Sequence, residues 1–422
     1  MTTYMAGVAV RDITPDPAML ASGLRLAGFA ARTDPATGVH DQLTARAVVV
    51  EDTAIVVADV IAFHEDSSAR IRARCGLPED RVIVAATHTH GAPFMVPGRL
   101  GGEPDPRFLR LVEDGCVAAI DAAMADRSLS TITAGTGVDP DVARNRRHPD
   151  GPLDRALPVL RIRGVDGGLR AVLVSYACHP VVLGADNLRV TADYPHFVRS
   201  HIEAACPGSV VVFLTGCCGD ANTGHSAQAS MSLEPDSARS FATADKIGAR
   251  IGRAALEAGE TIVKGAASAR SAEVRLEFQR QERDLAVLVD GWRREAATAP
   301  PTRAGILDHW IRWAIRMEGA ELGGWTGRLT ILRWGSVPVV ALPGEIFART
   351  GLDLRAACGA NPAFVLAYAD AVPGYIPPAG EYPHGGYEVD EAHRFFGMPG
   401  AFASGSAERL AATAVELLGQ ET

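Results

Sequence analysis

The sequence predicts an α/β fold, a mixed β-sheet core with flanking helices. Short apolar strands such as 82–86 are followed by helical stretches such as 108–125, a β-hairpin pattern spans 158–180, and no regular strand–helix unit repeats. The spacing predicts one domain over 1–422, with a helical excursion at about 225–300.

Composition narrows the function classes. With 47% hydrophobic and 22% charged residues, the 422-residue chain can fill a large core and does not read as disordered. A formal net charge of -9 argues against nucleic acid as partner, and the one dense basic cluster, Arg144-Asn145-Arg146-Arg147, is too short to track a phosphate backbone. MTTYMAGVAVRDITPDP shows no secretory pattern, and no apolar run approaches the ~20 residues of a membrane span. The seven cysteines are scattered without C-x-x-C spacing, and the adjacent Cys217-Cys218 pair has poor geometry for a bridge. Reduced thiols, a cytoplasmic location and no stable membrane insertion are the expectation; a homo-oligomer stays open.

Along the chain, AVVVEDTAIVVADV reads as two strands around a turn at Glu51-Asp52, and HEDSSARIRARCGL as a helix from Asp66 to Gly76. Val82–Ala86 is a buried strand whose end carries Thr87-His88-Thr89-His90. The 158–180 segment forms a hairpin turning at Asp166-Gly167-Gly168 and ends at His179. SVVVFLT is a further buried strand running into a glycine-rich turn. SVPVVALPGEIF and FVLAYADAVPGYIPP read as strands delivering Glu345 and Tyr375 to their ends, and residues 403–419 close the chain as a helix.

The candidate chemistry sits at these strand ends. In a strand, alternate side chains share a face, so His88 and His90 can reach one cavity. Spacing alone makes both zinc ligands, or else two hydrogen-bonded polar histidines. His179 and Glu345 each have an equally plain structural reading. Their shared position at strand ends, which form one rim in α/β sheets, favours a common site. Asp59 and Asp220 follow apolar strands, where they either orient the histidines or are ordinary turn residues.

AGVAVRDITP, GVHDQLTARA, THTHGAP, ARNRR, YACHPVVLG, FLTGCCGDAN, LPGEIF and GYIPPAGEYPHGGYE occur in the order found in neutral/alkaline ceramidases. Nearly the whole chain resembles that family's catalytic domain. The resemblance implies an amidase that hydrolyses an N-acyl bond using one Zn²⁺ per chain. It places the metal ligands on His88, His179, Glu345 and Tyr375, and sets His90 beside the metal. It assigns a substrate-contacting arginine to Arg146 and an active-site tyrosine to Tyr387.

The chain also departs from the family. The turn that carries a serine there reads Gly219-Asp220-Ala221-Asn222-Thr223, so metal-activated water, not a side-chain nucleophile, is the expected attacker. His90 is the candidate general acid, Tyr387 or His90 the oxyanion donor, and Arg146 the anchor for a polar substrate group. Neither a secretion signal nor the family's immunoglobulin-like domain is read in the sequence. Polar residues in GAPFMVPGRLGGEPDPR and in the tyrosine-rich segment favour a small polar substrate over long-chain ceramide.

Overall fold

The computed structural model describes residues 2–227, 229, 232–279, 284–359 and 362–420. Its main sheet contains β1 (Tyr4–Asp12), β2 (Thr44–Val50), β3 (Thr53–Ala58), β4 (Val82–Ala86), β5 (Ser128–Gly137), β6 (Leu157–Gly164), β7 (Leu169–Tyr176) and β8 (Val210–Thr215). These run in the order β8-β7-β6-β5-β1-β2-β3-β4, and Thr261–Ile262 adds a short strand beside β5. The pairs β3–β4 and β7–β8 are parallel; the other pairings are antiparallel. A second sheet has the order β9 (Ala267–Glu277), β10 (Gly324–Trp334), β11 (Val337–Ala341), β12 (Phe364–Leu366), and only β11–β12 is parallel.

Helices cover the main sheet's outer face. The first of them here, α1 (Pro106–Ala125), starts at an Asp105 cap and buries Phe108, Val112, Cys116 and Ile120 at helical spacing. A second pair, α2 (Tyr194–Ala205) and α3 (Phe241–Leu256), packs Val198, Ile202 and Ile251 onto Val159, Val172 and Phe213. The inner face packs Val48, Ile55, Leu160 and Leu173 against Trp334 and Phe364 of the second sheet, and Trp334 Nε1 donates to Thr53 Oγ1 at 2.8 Å.

One feature of the topology builds the site. The edge strands β4 and β8 are brought together, with Thr215 Oγ1 donating to the Thr87 carbonyl at 2.8 Å. The segment after β12 seals both edges. Ala367 N donates to Thr215 O at 3.2 Å, Ala86 N to Tyr368 O at 3.1 Å, and Asp370 N to Val84 O at 2.6 Å. Edge groups that would otherwise be exposed are thereby paired. The three parallel pairs of these two sheets then direct their carboxyl ends to one place.

The expected excursion at about 225–300 needs correction. Helices α3 and α4 (Leu285–Ala296) do fall there and α5 (Pro301–Met317) follows it, but β9 separates α3 from α4, and residues 228, 230–231 and 280–283 lie outside the described residues. The partner of β9 is β10, which begins only after both helices, so the pairing leaves no local signal. The strand expected to carry Tyr375 is also shorter. It stops at Leu366, and Tyr375–Ile376 pairs separately, in parallel, with Glu345–Ile346.

Candidate metal centre

His88 lies beyond β4, with φ 65, so the H-x-H does not sit on a strand and the shared-face argument fails. The two rings converge for another reason. The chain leaves β4 by a left-handed step at His88, and the loop is then pinned. Thr89 Oγ1 donates to Thr191 O at 2.9 Å, Thr191 N donates to Gly91 O at 2.9 Å, and Arg32 Nη2 donates to His90 O at 2.5 Å. Gly28, φ 102, lets the backbone pass under His90, whose Nδ1 would stand 2.4 Å from a Cβ there.

His88, His90 and His179 form a cluster with one ligand nitrogen each, mutually within 4.8 Å, able to hold a metal ion. His88 Nδ1 donates to Ile61 O at 2.6 Å, and His179 Nδ1 donates to Cys218 O at 2.6 Å. A carbonyl can only accept, so Nδ1 carries the proton and Nε2 presents its lone pair in the neutral ring. Both Nε2 atoms face the buried Glu345 Oε2, at 3.5 Å from His88 and 3.0 Å from His179. Burial pushes His179 down to about 4. Neutral imidazole nitrogens thus face a carboxylate, acceptor against acceptor, an arrangement that a cation between them satisfies. Both ring nitrogens of His90 are buried without a partner, and burial holds its pKa well below normal. The donor set fits a divalent metal.

Asp59 and Asp220 do not orient these histidines. Asp59 accepts both Arg199 Nη1 and Nη2, at 2.7 and 2.8 Å, and Asp220 accepts Ala348 N at 2.7 Å and Asn145 Nδ2 at 2.9 Å. Backbone carbonyls do the orienting instead.

Arg146, Tyr375 and Tyr387 line the same pocket as His90, and it opens to solvent. Arg146 Nη2 donates to Tyr375 Oη at 2.9 Å, and its Nε donates to Glu388 Oε1 at 2.9 Å. Its charge is therefore already compensated within the protein, which counts against Arg146 as the main substrate anchor. The Tyr375 and Tyr387 rings meet edge to face, 5.8 Å apart.

Two curated proteins align with parts of the chain. The neutral ceramidase of Drosophila melanogaster is 28% identical over 222 residues, 45% of this chain and 31% of that protein. The neutral ceramidase of Pseudomonas aeruginosa is 25% identical over 229 residues, 47% of this chain and 33% of that protein. The crystal structure of the Pseudomonas aeruginosa enzyme superposes with TM-score 0.72 at 18% identity, over 99% of this chain and 74% of that one. The chain belongs to the neutral ceramidase family. No family model matches it, and its aligned part spans about a third of the two curated relatives, 31% and 33% of their lengths.

In this neutral ceramidase relative Asn222 shapes a turn. Its Oδ1 accepts Gly224 N at 2.8 Å and His225 N at 2.9 Å, and its Nδ2 donates to His225 O at 2.7 Å. All seven cysteines are free, and burial raises the thiol pKa of Cys178, Cys217 and Cys218, which counts against these three as activated nucleophiles. Among the described residues no helix is long and apolar enough to cross a membrane. Sequence reasoning missed Arg239 and Asp41, and it read Glu388 only as one polar residue of the tyrosine-rich segment, not as the partner of Arg146. Asp41 sits in the GVHDQL motif, and its carboxylate accepts Thr191 Oγ1 at 2.5 Å and Ala192 N at 2.8 Å, bracing the strut behind Thr89. The motif was visible, but its contact lies 150 residues away.

Proposed function

We propose that the protein is a zinc-dependent hydrolase of amide (N-acyl) bonds, acting on a compact polar substrate in preference to long-chain ceramide. The observation that carries this reading is the facing of two carbonyl-oriented histidine Nε2 atoms toward the buried Glu345 oxygen, beside a pocket. His88, His179 and Glu345 would hold the metal. Tyr375 completes the set, and His90 stands beside it. Zinc supplies Lewis acidity and lowers the pKa of water from ~15.7 to about 7.

The chain's own groups do the rest. His90, neutral and with both ring nitrogens unpartnered, accepts a proton from the attacking water and returns it to the amine nitrogen as the C–N bond breaks. Tyr387 is the donor for negative charge developing on the carbonyl oxygen. Arg146 holds the Tyr375 hydroxyl in place, so a substrate reaches only the part of its fork that Tyr375 and Glu388 leave. The polar lining residues Asn222, His225, Ser226 and Arg239 support the compact polar substrate.

The test is a panel of amides and esters, including long-chain ceramide in detergent, offered to zinc-loaded and chelator-treated protein. Amide cleavage should vanish on chelation and return with zinc. Activity indifferent to chelators but abolished by a thiol reagent sinks the metal reading; preference for long-chain ceramide sinks the substrate reading.

A further inference from the structure

The pocket has a second cationic side that the hydrolytic chemistry leaves unused. Arg239 lines it together with Gly28, Ala30 and Val181. Its Nη2 donates to the carbonyls of Val181 and Leu183, both at 3.0 Å, and its Nε to Val182 O at 3.3 Å. Nη1 has only a long contact, 3.4 Å, to Ala229 O. Behind it, the buried Arg32 donates to the carbonyls of Ala27, His90 and Asn187, and its Nε has no partner. The two guanidinium groups flank one ring, with Arg32 4.9 Å and Arg239 5.5 Å from the Phe29 centroid.

Among the described residues no carboxylate comes within 4.0 Å of either cation. Asp186, Asp193 and Asp236 act on Arg239 only at longer range. Asp186 is exposed, and the Asp193 oxygens are occupied by the backbone N–H groups of Val182, Leu183 and Tyr194. Carbonyl oxygens solvate a guanidinium but do not cancel its charge. A pair of cations held in this way beside a pocket is a built receptor for an anion.

We propose that this wall is a carboxylate subsite: the substrate carries an anionic carboxylate received at Arg239 Nη1, with Arg32 strengthening the field from behind Phe29. N-acyl amino acids are the substrate class that combines such a group with a hydrolysable amide. The inference rests on the reading of this pocket as the substrate site, given under Proposed function.

Calorimetric binding of N-acetylglycine and of N-acetylglycinamide to the full-length, zinc-loaded protein separates charge from shape. Binding is read whether or not either amide is cleaved, so loss of the hydrolase reading and loss of the subsite are told apart. The anionic probe should bind about tenfold tighter, and added NaCl should erode the difference. Arg239→Gln should bring the two affinities within about twofold of each other by weakening only the anion. Because Arg239 also clamps the 181–183 turn, Ala30→Asp serves as a second variant: it leaves the clamp intact, sets a carboxylate on an exposed position of the pocket wall, and should weaken the anionic probe alone. Equal affinities in the unmodified protein, a preference surviving both variants, or no measurable binding of N-acetylglycine overturns the subsite. A preference that survives Arg239→Gln but disappears on zinc removal assigns the carboxylate to the metal instead.

Discussion

The two sides of the pocket use arginine in opposite ways. On one side Arg146 and Arg147 share Glu388: Arg146 Nε bonds Oε1 at 2.9 Å, and Arg147 Nη1 bonds Oε2 at 2.6 Å. Arg147 Nε also reaches Glu381 at 2.8 Å, and His148 Nε2 lies 3.0 Å from the same Glu381 oxygen. Burial alone would lower Arg146, yet Tyr375 and Glu388 hold its pKa well above the usual value. On the other side, among the described residues, Arg32 and Arg239 bond only neutral carbonyls, and burial lowers both, Arg32 to about 9. Where the counter-charge is internal, arginine is part of the frame that positions Tyr375 and Tyr387. Where it is missing, the cation is left for something that arrives.

The histidine floor between the walls gives the largest expected effect. If the floor alone defines the metal centre, His88→Ala, His179→Ala and Glu345→Ala each lose most bound zinc, while His90→Ala keeps it. Elemental analysis of purified protein reads this directly, with about one zinc per chain in the unmodified protein. Equal loss in His90→Ala makes His90 a ligand, a role its place in the three-histidine cluster allows.

Glu388→Gln tests the paired wall. It removes the carboxylate from two buried guanidinium groups at once and should cost about 3–5 kcal/mol in chemical denaturation. A cost below about 1 kcal/mol means that pairing does not hold this wall, and the contrast between the sides collapses. Arg32→Met on the other side should cost less, because no buried carboxylate is orphaned.

Asn222→Ala is smaller again. Three hydrogen bonds of the 222–225 turn are lost, but that turn is partly exposed, so about 1–2 kcal/mol and a modest fall in turnover are expected. Complete loss of turnover with zinc retained gives Asn222 a direct part in the chemistry.

How much of this was legible in the sequence follows from the range of each interaction. Strand Val82–Ala86 and the Glu51-Asp52 turn were visible because a continuous apolar run and turn chemistry set them. The strand β9 was not, because its partner lies beyond two helices. Ligand-type side chains at chain positions after apolar strands marked His88, His179 and Glu345, but the reason they meet is the joining of the two sheet edges through residues 366–370, which no local pattern encodes. Composition cannot separate a compensated arginine from an uncompensated one. Arg146 stood in a recognisable motif and turned out to be paired; Arg239 stood in none and is not.

His225 offers the finest probe of the unpaired wall. Burial lowers its pKa from the usual value, and Arg239 pushes the same way, against Asp236. A histidine depressed in the folded state contributes stability that is complete above the unfolded value of about 6.5 and is lost as pH falls below it. His225→Gln should therefore flatten the acid limb of stability slightly, by tenths of a kcal/mol for a half-buried ring. The sharper readout is the ring's own titration by NMR. In the free protein its midpoint should lie below about 6.5, and saturating N-acetylglycine should move it upward, because a carboxylate on Arg239 cancels part of the charge that opposes imidazolium. Arg239→Gln should raise the midpoint without ligand and remove the response to ligand. A His225 midpoint that ignores both the anion and the loss of Arg239 means that the cation's field does not reach this part of the pocket, and the two walls then differ in structure alone.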